Sequence, residues 1–571
     1  MKEKIIRVLK SNVLFAFVLN AVFLALCVIF TSFSYDSPAD YYNSLYICQK
    51  HVYANASVNY ILSTIIGTVQ YAFPYINCFA LFEVMASFAA FTSITFVFAD
   101  KYNQRKAFVF SLLLNIMFAL HHYTHIDSTR TAALLCAGGF LLVLLAVYQK
   151  RYSLSCWVGV LEIAFGSFLN LTYFFVALGF GIAFFFGDMM AKKKYRLPFR
   201  KLFWYFRPFL LMFILVTLVC LGLHQFSYSV NHATEESRTF YEYSYAQNKI
   251  GNLPFPNYSD NAEDFAKAGI MSEADYEMLK NGYYDNDNNL NAKALNAVYQ
   301  IQLKNNPKNI GNTLYAVFED NYEEVMELSR SIIVIAIYLL VSVVFIVFHK
   351  NRFSFFPLFY FIAGLISGFL IRLFNSSNDN LTYGIWVLMI AMLLNSFNFE
   401  LIRNKRPSRI RQNNGYLIIS SAIMLILAVG NGIIYYNNTK VPTEDNNARF
   451  LISELDRNPD CYYFIDPVTK ADFIQSTENY IHPMWGFRSE YLDNLDDFGY
   501  FHNEELLRRR NFPDNIYEAI VSKHKVYVID NNIVMKKEKY FSEHYAKENG
   551  RAVYELESEP RGYKIYSVTV S

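Results

Sequence analysis

Charge is scarce in this chain. Asp, Glu, Lys and Arg make up 18% of its 571 residues against 54% hydrophobic, and mean hydropathy is +0.16. A soluble protein of this length carries about a quarter charged residues and divides into several domains, so the shortage excludes that class. Net charge is +2, which leaves no excess of either sign for a nucleic acid or another polyion. Cysteine is sparse and unpatterned: seven in all, with no Cys-x-x-Cys and five in or beside apolar runs. That excludes a disulfide framework and a cysteine-built metal site. Also missing are a Walker loop, Gly-x-Ser-x-Gly, His-Glu-x-x-His and the Rossmann glycine set. No internal repeat of the kind found in transporters built from two halves is visible. The 44 Tyr and 53 Phe, with many Asn, Lys and Ile, match what an AT-rich genome encodes, so their abundance selects no function.

What is present is a series of long apolar runs, at about 12–33, 76–99, 107–124, 131–148, 154–170, 171–187, 205–225, 331–348, 354–373, 381–398 and 415–436. Each is long enough to cross a hydrocarbon core of ~30 Å. The expectation is a polytopic α-helical membrane protein of about 11 spans. The pair at 154–187 is the shortest, with Asn170 alone marking the turn. The first run could pass for a signal peptide, but it is too long and TSFSYD offers no small-x-small cleavage site, so it reads as an uncleaved span.

Cations orient the spans. With the N-terminus inside, the inner segments hold 22 Lys and Arg, in clusters such as Lys192, Lys193, Lys194 and Arg196 and the group from Arg403 to Arg411. The short outer loops 34–75, 125–130 and 374–380 hold 2, Lys50 and Arg130. The positive-inside rule then puts the N-terminus in the cytoplasm and the C-terminus outside. The chain divides into an N-terminal transmembrane module, 1–225, whose first outer loop is 34–75; a large helical outer loop, 226–330; further spans, 331–436; and an outer C-terminal segment, 437–571. In the last, CYYFIDP and KVYVID read as strands, EKYFSEHYAKENG as a helix, and AVYELE with YKIYSVTV as a closing β pair, hence a small α/β domain. Residues 56–73, ASVNYILSTIIGTVQYAF, are amphipathic and interrupted by Asn59, Ser63, Gly67 and Gln70. Counting them as a span would invert every later loop, so they read as a helix lying along the outer interface.

Acids at the membrane border are costly and therefore mark function. Asp36 and Asp40 follow the first span, within TSFSYDSPADYYNSLY. Glu83 sits about two turns into the second, His121, His122, His125 and Asp127 occupy HHYTHIDSTRT, and Arg372 ends the ninth span beside NSSNDN. An acid can deprotonate an attacking hydroxyl and a cation can hold a phosphate, a combination suited to sugar transfer from a lipid-linked donor. Asp40 and Asp36 are the catalytic candidates; Glu83, Asp127, His125, Arg372 and Asn59 are candidate substrate-binding residues. Each has a plainer alternative: a solvated interfacial acid, a polar pair inside the bundle, or an arginine reaching for headgroups. The His/Asp cluster has the composition of a metal site, and a divalent metal is left open as a cofactor. Glu162 has no evident role.

The order "acid-rich DY motif, NYILSTIIGTVQYAFPYIN, second span", together with STRTAALLCAGGF, AKAGIMSEADYEMLKNGYYDNDNNLNAKAL, KVYVIDNN and GYKIYSV, resembles a group of little-characterised polytopic bacterial membrane proteins. That architecture is similar to the GT-C superfamily of membrane glycosyltransferases. The resemblance covers about half the chain in patches. It implies a polyprenyl-phosphate-linked sugar donor, a cell-surface glycan or glycolipid acceptor, and a site on the outer face of the bacterial cytoplasmic membrane. It also implies an acidic base in the first outer loop, which falls on Asp40 in ADYY, with Asp36 second. The paired acid expected before the tyrosine is here Ala39. The alternatives are a polysaccharide polymerase or ligase and a non-enzymatic transporter or flippase of lipid-linked glycans. Polymerases and ligases usually rely on outer-loop arginines, and loop 226–330 has only Arg238 and Arg330.

Overall fold

In a computed structural model, the residues described are 11–30, 33–35, 38–49, 52–54, 56–150, 154–191, 199–250, 255–285, 287–305, 330–349, 352–375, 379–397, 422, 426, 429–430, 433, 447–478, 494–499, 512–513, 515–522, 525–532 and 534–571. In chain order the helices of the N-terminal part are α1 (Asn12–Phe30), α2 (Pro38–Ser44), α3 (Tyr60–Ala72), α4 (Cys78–Tyr102), α5 (Gln104–Leu114), α6 (Leu120–Thr124), α7 (Ser128–Gln149), α8 (Leu154–Leu169), α9 (Leu171–Ala191) and α10 (Phe199–Asn231). A polar segment follows with α11 (Glu235–Ile250), α12 (Tyr258–Lys267), α13 (Glu273–Lys280) and α14 (Ala292–Asn305), then the apolar α15 (Arg330–His349), α16 (Phe356–Asn375) and α17 (Asp379–Ser396). Ten of the expected apolar runs coincide with described helices. The eleventh, 415–436, lies almost wholly outside the described residues. The chain is a multi-pass membrane protein. Helices α1, α4 and α7 and the Arg207–Asn231 part of α10 are each long and apolar enough to cross a bilayer unaided.

Helix α7 is the axis of the bundle. Its apolar window is 89% buried, whereas that of α1 is 17% buried, so α1 lies at the periphery. The centre is closed by glycine: a Cβ on Gly139 of α7 would lie 2.5 Å from the Gly159 carbonyl of α8, so the two backbones touch. Polar residues tie the outer helices on. Asn20 of α1 donates to Thr95 of α4 at 3.1 Å and accepts from Asn115 at 3.0 Å. Asn115 opens a π-helical turn, Asn115–Ala119, between α5 and α6. Helix starts are set by short polar caps: Asn77 on the Ala80 N–H, Asn103 on that of Lys106, and Asn170 on that of Thr172. Asn170 is thus enough to divide 154–187 into α8 and α9.

Helix α3 has 13 residues, about 20 Å at 1.5 Å each, too short for a bilayer core. It buries Leu62, Ser63, Ile66 and Gly67 while leaving Ile65, Val69 and Tyr71 exposed. Asn59 caps it by accepting from Ile61 N–H at 3.0 Å, and Ser227 of α10 accepts from Tyr60 N–H at 2.9 Å.

The C-terminal segment holds α18 (Ala448–Arg457), β3 (Tyr462–Ile465), α19 (Pro467–Glu478), β4 (Leu495–Asp497), α20 (Ile516–Ser522), β5 (Val526–Ile529), α21 (Val534–Tyr545), β6 (Ala552–Ser558) and β7 (Ile565–Val570); β1 (Ser34–Tyr35) and β2 (His125–Ile126) belong to the membrane part. The five strands order β4-β3-β5-β7-β6, parallel through β5 and antiparallel beyond it. Strand period two sends Tyr462 and Phe464 to one face, Tyr463 and Ile465 to the other. The second face is covered by Leu451 and Leu455 of α18. The first shares a core with the preceding polar segment, through Phe240, Tyr276, Leu290 and Val298. The polar segment and the C-terminal segment, separated in sequence by the apolar helices α15 to α17, are therefore one packed lobe. A buried ion group locks it: Lys537 donates to Asp466 at 2.8 Å and Asp530 at 2.6 Å, and Tyr283 donates to Asp466 at 2.7 Å. Burial pushes the Asp530 carboxyl up to about 6.

Candidate active site

The segment after α1 and the loop before α7 are joined by a two-residue parallel bridge, Ser34 with His125 and Tyr35 with Ile126. The bridge brings α2 to the N-terminus of α7. Pro38 opens α2, where its missing N–H costs nothing, and Asp40 follows in the first turn, where an acid is favoured. The Asp40 side chain leaves its own helix and reaches α7: Ser128 N–H donates to Oδ2 at 2.9 Å, and Asn43 Nδ2 donates to Oδ1 at 3.4 Å. Asp127 is the N-cap of α7, accepting from Arg130 N–H at 2.8 Å. Two carboxylates thus share one helix N-terminus, whose unpaired N–H groups and dipole favour negative charge.

Both acids are withdrawn from water, with Asp40 1% and Asp127 3% exposed. Burial, then the Asp127 charge, push the Asp40 carboxyl up to about 7, while the Ser128 and Asn43 hydrogen bonds pull it down. Asp40 thereby changes charge near neutrality. Glu83, 1% exposed on α4, lies within electrostatic reach of Asp40, Asp127 and Arg130, and neither of its carboxylate oxygens has a hydrogen-bond partner among the described residues.

Arg130 was visible in the sequence only as one of two outward cations, with no role attached. It is 1% exposed, donates to the His125 carbonyl at 2.7 Å, meets the His121 ring, and stands 3.9 Å from Asp127. The available signal was its spacing: Asp127 and Arg130 are separated by three residues at a helix start, where side chains of opposite charge meet. With the His121 ring and the His125 carbonyl both engaged by this guanidinium, a cation beside them meets repulsion. His122 instead packs edge-on against Phe91.

Of the residues expected from sequence, the structure brings together Asp40, Asp127 and Glu83, with His125 bordering them through Arg130. Asn59 caps α3, and its amide nitrogen faces His224 of α10 at 3.4 Å. Asp36 lies outside the described residues, and so does the side chain of Arg372, whose backbone is in α16.

These features define a multi-pass helical membrane protein with a buried acidic centre at one end of its bundle. In overall shape the chain is similar to crystal structures of ArnT from Cupriavidus metallidurans. The apo form gives a TM-score of 0.34 at 10% identity over 96% of each chain. The form bound to undecaprenyl phosphate gives 0.33 at 10% over 97% of each. No protein-family model and no curated protein matches the chain.

Proposed function

We propose that the chain is a GT-C-like membrane glycosyltransferase, acting on the outer face of a bacterial cytoplasmic membrane with a polyprenyl-phosphate-linked sugar as donor and a cell-surface glycan or glycolipid as acceptor. The observation that carries this reading is Asp40: a buried carboxylate on the Ser128 N–H, beside Asp127, changing charge near pH 7. A base is most effective when its pKa lies near the working pH. The Asp40 carboxylate takes the proton of the acceptor hydroxyl as that oxygen bonds to the anomeric carbon. The bond from that carbon to the donor phosphate breaks, and the phosphate leaves on its polyprenyl chain with the electron pair. Asp127 holds Asp40 in its basic range and fixes the start of α7. Glu83, without a hydrogen-bond partner among the described residues, accepts a hydroxyl of the incoming acceptor, and Arg372 holds the leaving phosphate.

The test is direct. Protein in lipid nanodiscs is mixed with polyprenyl-phosphate sugars and membrane glycolipid extract, and free polyprenyl phosphate is quantified by mass spectrometry. Wild type releases it, Asp40→Asn does not, and Asp36→Asn does. Equal release by Asp40→Asn and wild type would remove the base from the mechanism.

A further inference from the structure

Helix α11 carries an aromatic face that its own packing does not use. Its core side is Phe240, Tyr243, Ala246 and Ile250, spaced as one helical face and fully buried in the outer lobe. Tyr241 and Tyr245 stand one position beyond that face, four residues apart, with rings nearly parallel at 10° and centroids 6.3 Å apart. The row continues below into the end of α10, where Tyr228 meets His232 at 4.0 Å and Tyr241 at 6.1 Å, and His232 meets Tyr241 at 4.9 Å. It ends above at Lys249, whose ammonium lies 4.2 Å from the Tyr245 ring and 5.7 Å from that of Tyr299 on α14. Tyr228 is 50% and Tyr245 48% exposed among the described residues. Tyr241 is half-buried between its neighbours, while Tyr228 and Tyr245 keep an open side beyond their contacts with His232 and Lys249.

Helix α11 itself, by its buried side, touches the segment that follows Asp40. The buried side of α11 rests on Tyr46, in the π-turn that follows the Asp40 helix, with Phe240 and Tyr46 ring centroids 5.3 Å apart. On α10, Ser227 next to Tyr228 and His224 one turn before it hold the head of α3.

We infer that Tyr228, Tyr241 and Tyr245, with Lys249 at the far end, form a track that binds the sugar chain of the acceptor. This rests on the glycosyltransferase reading and gives its acceptor a chemistry. Pyranose rings present flat faces of weakly polarised C–H groups, which stack on the electron-rich faces of tyrosine, while their hydroxyls pair with the phenols. Successive sugars of a linear chain repeat that face, as the successive rings do. The single cation tolerates an acidic sugar without demanding one.

The test uses the full chain in nanodiscs without donor, so that binding is read apart from transfer. The probes are maltohexaose, cellohexaose, chitohexaose and a hyaluronan hexamer, followed by saturation-transfer NMR and titration. At least one hexamer binds, glucose does not compete at equal concentration, and Tyr241→Ala/Tyr245→Ala weakens it about tenfold or more. Tyr241→Phe/Tyr245→Phe retains most of the affinity, because stacking needs the ring. A thermal midpoint equal to wild type shows that the alanine variant is folded. The inference is overturned if no hexamer binds, or if the alanine variant binds as wild type does. It is equally overturned if Tyr241→Trp emission is quenched by brominated lipid, which would make the row a membrane-belt anchor. Loss of transfer in Asp40→Asn with hexamer binding intact upholds both readings. Intact transfer in that variant defeats the base assignment and leaves the track standing.

Discussion

Replacing Asp40 by Asn should make the protein more stable and less active at the same time. Its carboxyl moves from an ordinary 3.8 to about 7, roughly three pKa units, on a group 1% exposed. At about 1.4 kcal/mol per unit, that is on the order of 4 kcal/mol. Between about pH 4 and pH 7 the folded state keeps a proton on Asp40 that the unfolded chain has released. Stability therefore falls as pH rises through that window, and the loss is complete above about pH 7. The amide is neutral throughout and still accepts from Ser128 N–H, so Asp40→Asn escapes the loss. Unfolding free energies in mild detergent should match wild type near pH 4 and exceed it by about a few kcal/mol near pH 8. Turnover should fall by about two to four orders of magnitude, the usual worth of a positioned base. Asp40→Asn less stable than wild type near pH 8 would refute the reasoning, because the ionised carboxylate would then be a stabilising partner.

The same physics applies elsewhere. Asp127→Asn keeps a competent cap but removes a charge beside Asp40, so the pH at which wild-type stability declines should move down, read from midpoints measured across pH. Arg130→Lys loses the fork that serves His125, His121 and Asp127 together, and should cost about 3–5 kcal/mol in unfolding free energy without restoring activity. Lys537→Met strands the buried Asp466 and Asp530 carboxylates. It should destabilise the outer lobe by about 3–5 kcal/mol near pH 8 and by less near pH 5, where Asp530 takes up a proton, measured by protection of β3 and β5 in hydrogen exchange. Gly139→Val pushes α7 off the Gly159 carbonyl and should lower the thermal midpoint, at a cost of about 1–3 kcal/mol or more.

The bundle was legible because hydropathy reports burial in lipid directly: an apolar run of sufficient length leaves its backbone few options besides a helix. Asp40 was legible by position, an acid just past a span and ahead of an amphipathic helix. What it touches was not, since the Ser128 N–H arrives from 88 residues away through a two-residue bridge too short to have a sequence pattern. HHYTHIDSTRT shows the same limit. Its composition suits a metal, but the His121 ring and the His125 carbonyl meet Arg130 and His122 packs on Phe91, partners that composition does not reveal. The outer lobe was read as two segments for a related reason. Strand alternation shows that β3 has two covered faces, and only packing shows that one cover comes from α11 to α14.

Whether Asp40 is the base that starts transfer is tested most directly by the rate of a single turnover against pH. Protein in nanodiscs is loaded with polyprenyl-phosphate sugar, acceptor is added, and release of polyprenyl phosphate is followed from about pH 5.5 to about pH 8.5. The rate should rise with pH through a midpoint near 7 as Asp40 loses its proton, and in Asp40→Asn it should be low and flat. A rate independent of pH across that range, or an Asp40→Asn rate equal to wild type, would contradict the base assignment.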